Sequence, residues 1–291
     1  MDNMTAKVSC FARAYHYKNN SIHIFSDNIA EELLGDDYNQ IENNMADGLD
    51  FFCPGFKGTK EEGLGVIVDK QLSPSVLGRS SFCEDKLKVC VTNGCRQYVV
   101  FAAGYDTFSM RNRDKSLIVF ELDYPQIIED KMERINKARL TSAMIGVPCN
   151  LADETWKNKL FSHGYDKEQK AFGSLLGISY YLKKVDFEQL VMSISEIMSE
   201  GSAICFDYPS VDESAEIRKT QMLASEAGEQ MKAVYSYKEI GMILDKHGFK
   251  IEEHLDENDM TYRYFREYNQ ANPMHQMNAP VGVGYVYAVK R

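Results

Sequence analysis

The sequence predicts an α/β protein built on an open, mostly parallel sheet, and three observations carry that prediction. Tyr98-Val99-Val100-Phe101 is a short apolar run that stops in the small-residue turn Ala102-Ala103-Gly104. Ser116-Leu117-Ile118-Val119-Phe120 is a second such run, and it ends in Glu121-Leu122-Asp123. β-Branched and aromatic runs of this length, bounded by turn residues, read as buried parallel strands. Third, Asp123 follows Gly104 at the roughly 20-residue spacing of a nucleoside site, in which the turn admits a ligand to the backbone and the carboxylate accepts from ribose hydroxyls.

The chain reads as a single domain with residues 1–90 as an N-terminal helical region, 91–208 as the binding core, 209–236 as an insertion and 237–291 as the rest of the sheet. Phe11-Ala12-Arg13-Ala14-Tyr15 opens an amphipathic helix that Lys18-Asn19-Asn20-Ser21 breaks. Asp27 stands at the N-cap before an apolar stripe ending in Leu33-Leu34. Pro54-Gly55, Gly58, Gly63 and Gly65 make 51–75 a loop, and the helix after it contains Leu77 to Asp85. Residues 127–143 form the helix that crosses over to a third strand. In 187–200, Leu190, Val191, Ile194, Ile197 and Met198 make a core-facing helical stripe, closed by Gly201. Ala203-Ile204-Cys205-Phe206 is a buried strand leading to Asp207-Tyr208-Pro209, at the strand end where open sheets bind ligands. Residues 210–234 are charged and helical. A helix over 237–247, stopped by Gly248, precedes the strands 249–255 and 284–289, the latter expected as an antiparallel edge.

The central stretch resembles the S-adenosylmethionine-dependent methyltransferases that include leucine carboxyl methyltransferase and the bacterial O-methyltransferases of polyketide biosynthesis. Their pattern runs R-Q-V-V-x-L-G-A-G-L-D-T-R, then E-V-D-x-P and a lysine soon after. Here Arg96-Gln97-Tyr98-Val99-Val100-Phe101-Ala102-Ala103-Gly104-Tyr105-Asp106-Thr107-Phe108 is followed by Glu121-Leu122-Asp123-Tyr124-Pro125 and Lys131. The resemblance spans nearly the whole chain and implies a Rossmann-like class I methyltransferase sheet, mostly parallel with the last strand antiparallel, plus N-terminal helices and an inserted helical lid at 209–236. It implies S-adenosylmethionine as cofactor, held by Ala102, Gly104, Asp106 and Asp123. Arg79 matches the arginine that reaches the cofactor's methionine carboxylate, a grip that suits a guanidinium. Arg13 matches a basic residue that folds over the same carboxylate; its ordinary alternative is a solvated helix-face charge. Asn150 and Leu151 fall at the family's adenine-binding Asp-Leu pair, and an amide oxygen also accepts from an amine. Phe172 to Leu182 matches E-G-L-L-M-Y-L at Gly177, Tyr181 and Leu182, with Leu176 in place of the cofactor-facing glutamate. Tyr181 is a candidate to orient a substrate oxygen or a packed aromatic. Asp207 is a candidate base or a turn acid. Ala102 replaces the family's first turn glycine, and an αR or β backbone there would tolerate it.

Composition narrows the function. With a net charge of −10 and no basic run, the chain is a poor match to a nucleic-acid binder. The seven cysteines are scattered and no pair has CxxC spacing, which fits free thiols in a reducing cytoplasm. No signal-peptide core and no 18-residue apolar stretch is present, so a cytoplasmic protein without a membrane partner is expected. Methyl transfer from a sulfonium asks the protein chiefly for orientation and a dry pocket, and no metal motif is required. A carboxylate acceptor needs no base, whereas a hydroxyl would need one such as Asp207, His247 or His254. The expected function is therefore methyl transfer to an oxygen of a small molecule, less readily to a protein C-terminus. The alternative is a methyltransferase-like binding protein without turnover. A dinucleotide oxidoreductase would need G-x-G-x-x-G, which 102–107 lacks.

Overall fold

The computed structural model describes residues 4–210 and 232–291. One seven-stranded sheet runs in the order β3-β2-β1-β4-β5-β7-β6. Its strands are β1 Gln97–Phe101, β2 Ile118–Asp123, β3 Met144–Pro148, β4 Ala171–Leu175, β5 Ala203–Pro209, β6 Phe249–Leu255 and β7 Val283–Lys290. β1 to β5 pair in parallel, and β7 runs antiparallel to both β5 and β6. The last strand is thus antiparallel as expected, but it is not an edge. β7 is buried from Val283 to Ala288, whereas β6 turns Lys250 and Glu252 to solvent. A strand apolar on both faces belongs inside a sheet, and one with alternating charges suits its rim.

Side chains alternate across the sheet into two cores. Val99 and Phe101 of β1 with Ile204 and Phe206 of β5 face a layer that includes Leu190, Val191 and Ile194 of the Lys184–Ile197 helix. Tyr98, Val100, Ala203 and Cys205 face Leu77, Phe82, Cys83 and Leu87 of the long Ser73–Thr92 helix. A third core of Cys10, Phe11, Ala14, Leu33, Leu34 and Tyr38 holds the N-terminal helices together.

Several boundaries differ from expectation. Residues 51–75 are largely helical, with a helix over Lys60–Ile67. The Thr59 hydroxyl accepts from Glu62 N–H while the Glu62 carboxylate accepts from Thr59 N–H, a capping box that outweighs Gly63 and Gly65. Gly63 is there for packing, since a Cβ would stand 2.5 Å from the Leu49 side chain. The crossover helix is Pro125–Lys137 and does not reach 143; the chain turns at Arg139, φ +54°. Helical turns at Glu257–Met260 and Arg266–Ala271, between β6 and β7, had no counterpart in the sequence reading. Most of the expected lid, 211–231, lies outside the described residues. Among the described residues no helix is long and apolar enough to cross a membrane.

Candidate active site

The strand order reverses between β1 and β4, and ligands in open α/β sheets bind beyond the strand ends at such a switch point. A cavity of about 820 Å³ opens there. Val100 and Phe101 of β1, Asp123 of β2, Ser174 of β4 and Cys149 after β3 line its base. Thr5, Ala6, Ser9 and Arg13 of the Met4–Asn19 helix line one side, and Val76, Arg79 and Ser80 of the Ser73–Thr92 helix another.

β1 leaves the sheet through Ala102-Ala103-Gly104. Ala103 N–H donates to the Leu122 carbonyl at 3.0 Å, which fixes the turn to the adjoining strand. Gly104, φ +50°, donates its N–H to Asp123 Oδ2 at 2.7 Å, and Tyr124 N–H donates to Oδ1 at 2.7 Å. A Cβ on Gly104 would stand 3.0 Å from that of Ala6, so the glycine lets the N-terminal helix lie close over the turn. Burial pushes the Asp123 carboxyl up, and the two N–H donors pull back only part of the shift. Ala102 has φ +53°, a left-handed conformation and not the αR or β backbone that would tolerate an alanine there. For an L-residue that costs about 1–2 kcal/mol.

Glu121 and Lys131, retained from the motif, are fully buried and paired with each other, and Ser109 Oγ donates to Glu121 Oε1 at 2.7 Å. They do not line the cavity. They join β2 to the Pro125–Lys137 helix behind Asp123.

On the other side of the cavity, Arg79 Nη1 lies 3.5 Å from Asp207 Oδ2. Its guanidinium covers Gly177, φ +69°, where a Cβ would come within 2.7 Å of Nη1. Asp207 is 1% exposed. It accepts from Gly177 N–H at 2.7 Å and from the Tyr180 hydroxyl at 3.0 Å.

Arg13 is committed to protein partners. Its Nε donates to Asp27 Oδ2 at 2.8 Å and its Nη2 to the Tyr105 carbonyl at 2.7 Å. Asp27 also accepts from Thr107 Oγ1 at 2.7 Å and from Ala30 N–H at 3.2 Å, so it caps the Ala30–Leu34 helix from a position upstream of the N-cap itself. Burial would raise the Asp27 carboxyl, but Arg13 and Arg111 hold it below the usual carboxylate range. Arg111 donates to Thr107 Oγ1 at 2.9 Å and to Glu84 at 2.5 Å.

Arg13, Arg79, Ala102, Gly104, Asp106, Asp123, Asn150, Leu151, Leu176 and Tyr181 are brought together around one cavity. Asp207 is not among the lining residues, nor are His247 and His254. His254 Nε2 lies 2.9 Å from the Tyr208 hydroxyl instead. The Asn150 side-chain oxygen already accepts from Ala152 N–H at 3.0 Å, with a second lone pair left over. Sequence reasoning missed Tyr180, Thr107 and Arg111. The neighbouring Asp-Thr and Gly177–Tyr181 motifs were the available signal, but their partners lie far away in the chain.

A mostly parallel sheet of this order, with one antiparallel strand and a small-residue turn and a carboxylate at its switch point, is the architecture of a class I methyltransferase. The chain belongs to the leucine carboxyl methyltransferase family, whose family model matches residues 6–195. It is an S-adenosylmethionine-dependent methyltransferase, with S-adenosylmethionine as its cofactor. A Bacillus subtilis relative, YktD, is named as an S-adenosyl-L-methionine-dependent methyltransferase; it is 32% identical over 305 aligned positions, covering 99% of this chain and 98% of the relative. A Mycobacterium marinum relative named in the same way is 30% identical over 55% of this chain and 54% of its own length. Among solved structures, a DUF574 family protein from Streptomyces avermitilis superposes with a TM-score of 0.60 at 11% identity, covering 99% of this chain and 97% of that one. The magnesium protoporphyrin IX methyltransferase of Synechocystis, solved with bound SAH, gives 0.50 at 8% identity, covering 87% and 97%, a likeness of fold.

Proposed function

We propose that the cavity holds S-adenosylmethionine across the β1/β4 switch point and presents its methyl group to an oxygen of a small molecule. The observation that carries this reading is the pairing of Gly104 N–H with Asp123 at the base of a cavity large enough for both partners. Roughly 300–1,000 Å³ is usual for a small-molecule site, and about 820 Å³ is available. The residues fit the cofactor. Each Asp123 oxygen accepts one N–H and keeps a lone pair for a ribose hydroxyl. Asn150 and Leu151 stand where an adenine edge and face would lie. Arg79 offers a guanidinium to the methionine carboxylate, and the Ala102–Gly104 turn lets backbone approach between the two.

When bound, the cofactor supplies an activated methyl group on a sulfonium. What the chain supplies is alignment and exclusion of water. The Met4–Asn19 helix covers one side of the cavity, which supports a small acceptor over a protein surface. Beyond Leu176 the lining continues through Ile178, Tyr181, Leu182, Asp186 and Lys232. Tyr181 would orient the acceptor oxygen. With Asp207 behind the wall, the arrangement suits an acceptor that is already ionised, a carboxylate, for which no proton need be removed.

Incubation with methyl-tritiated S-adenosylmethionine and pools of small carboxylic acids and alcohols tests the acceptor class. Label in the small-molecule fraction that mild base releases as methanol is the expected result. Label confined to the macromolecular fraction would contradict it.

A further inference from the structure

We infer that Asp207 is a positioning residue that fixes Arg79, and the turn beneath it, for the carboxylate end of the cofactor. It lies at the end of β5, and the β4–β5 register makes it the lateral neighbour of the cavity wall: Leu175 is paired with Phe206, so Asp207 stands beside Leu176. Both carboxylate oxygens are engaged. Oδ1 accepts from Gly177 N–H at 2.7 Å, while Oδ2 accepts from the Tyr180 hydroxyl at 3.0 Å and lies 3.5 Å from Arg79 Nη1. The main chain is tied as well, since Ser179 Oγ donates to the Asp207 carbonyl at 2.7 Å.

One buried charge therefore organises three elements: the Ser73–Thr92 helix through Arg79, the 177–181 turn through Gly177, Ser179 and Tyr180, and β5 itself. A buried ion is tolerated only when paired and hydrogen-bonded, and this one is. Gly177 shows how closely the parts fit, because any side chain there would strike the guanidinium. Arg79 faces the cavity on one side and this carboxylate on the other, so its long side chain is confined before any ligand arrives. Confinement lowers the cost of ordering on binding. Asp207 has no surface in the cavity with which to take a proton from an acceptor.

This inference rests on the reading that Arg79 meets the cofactor carboxylate, and the test separates the two. S-Adenosylhomocysteine carries that carboxylate, and 5′-methylthioadenosine shares its nucleoside but lacks the amino-acid end. Calorimetric titration of both ligands is made against wild type, Asp207→Asn, Tyr180→Phe, Arg79→Ala and the Asp207→Asn/Arg79→Ala double variant. The expected result is a roughly tenfold loss of affinity for S-adenosylhomocysteine in Asp207→Asn, nearly the loss in Arg79→Ala and not additive with it, with 5′-methylthioadenosine affinity unchanged. Tyr180→Phe, which keeps the packing, should show the same selectivity at roughly threefold, and it stands alone if Asp207→Asn does not fold. Equal weakening of both ligands would make Asp207 a merely structural residue and overturn the inference. So would unchanged affinity for both with kcat lost and the acid limb of its pH profile gone, the pattern of a base. If Arg79→Ala itself leaves S-adenosylhomocysteine affinity intact, it is the reading of Arg79 that fails.

Discussion

Ala102 holds a left-handed backbone with a side chain that disfavours it, so its cost can be measured directly. Ala102→Gly should stabilise the protein by about 0.5–1 kcal/mol, the relief of roughly 1–2 kcal/mol of strain less the greater freedom glycine gives the unfolded chain. A urea midpoint that rises at an unchanged m-value is the expected observation. A second residue, Asp69, controls a pH effect. Its Oδ1 is buried without a hydrogen-bond partner among the described residues, and burial pushes the carboxyl from its ordinary value of 3.8 up to about 6. The native state therefore holds a proton that the unfolded chain releases, and stability declines as pH rises between those values, with the penalty complete above about 6. Buried His16 acts in the opposite sense. Burial lowers it from 6.5 to about 3, so it loses stability as pH falls through that window. Asp69→Asn should raise stability at neutral pH by on the order of 1–3 kcal/mol. It should also leave the His16 slope unopposed between about pH 4 and 6, which denaturant titrations across that range would reveal.

At the scale of elements, the Glu121–Lys131 pair joins β2 to the helix that follows it, and the joint lies directly behind Asp123. Lys131→Met would leave a buried carboxylate without its cation and should cost about 3–5 kcal/mol, most of it recovered by adding Glu121→Leu. Equilibrium unfolding of the single and double variants checks this. The pair also shows what the sequence made legible. The Glu-x-Asp-x-Pro motif and its lysine were visible as a pattern, yet it is Asp123 and Tyr124 that line the cavity; Glu121 and Lys131 are scaffold. Strands β1 and β2 were readable because both of their faces are buried. The helix over Lys60–Ile67 was not, because Gly63 and Gly65 suggested a loop while Thr59 and Glu62 supply the cap. The interior place of β7 was missed because position in a sheet depends on which faces its neighbours leave uncovered. In the Arg13–Asp27–Thr107–Arg111–Glu84 network only Thr107 and Arg111 are close in the chain; the other members come together only when the N-terminal helices dock.

For the whole molecule, the cavity joins the N-terminal helical layer to the sheet, so occupancy and stability are linked. A ligand that bridges both should add about 2.7 kcal/mol at a hundredfold excess over its Kd. Asp123 is central to that linkage, because it holds the turn through Gly104 and faces the cavity from the end of β2. On the proposed reading it holds a ribose diol, and that requires the ionised carboxylate. Burial raises its pKa, so binding should weaken on acidification before an ordinary aspartate would protonate. The most direct test is calorimetric titration of the wild type and a folded Asp123→Ala variant with S-adenosylmethionine. The account predicts saturable one-site binding by the wild type and its loss in the variant. Equal binding by the two proteins would place the cofactor elsewhere and contradict the account.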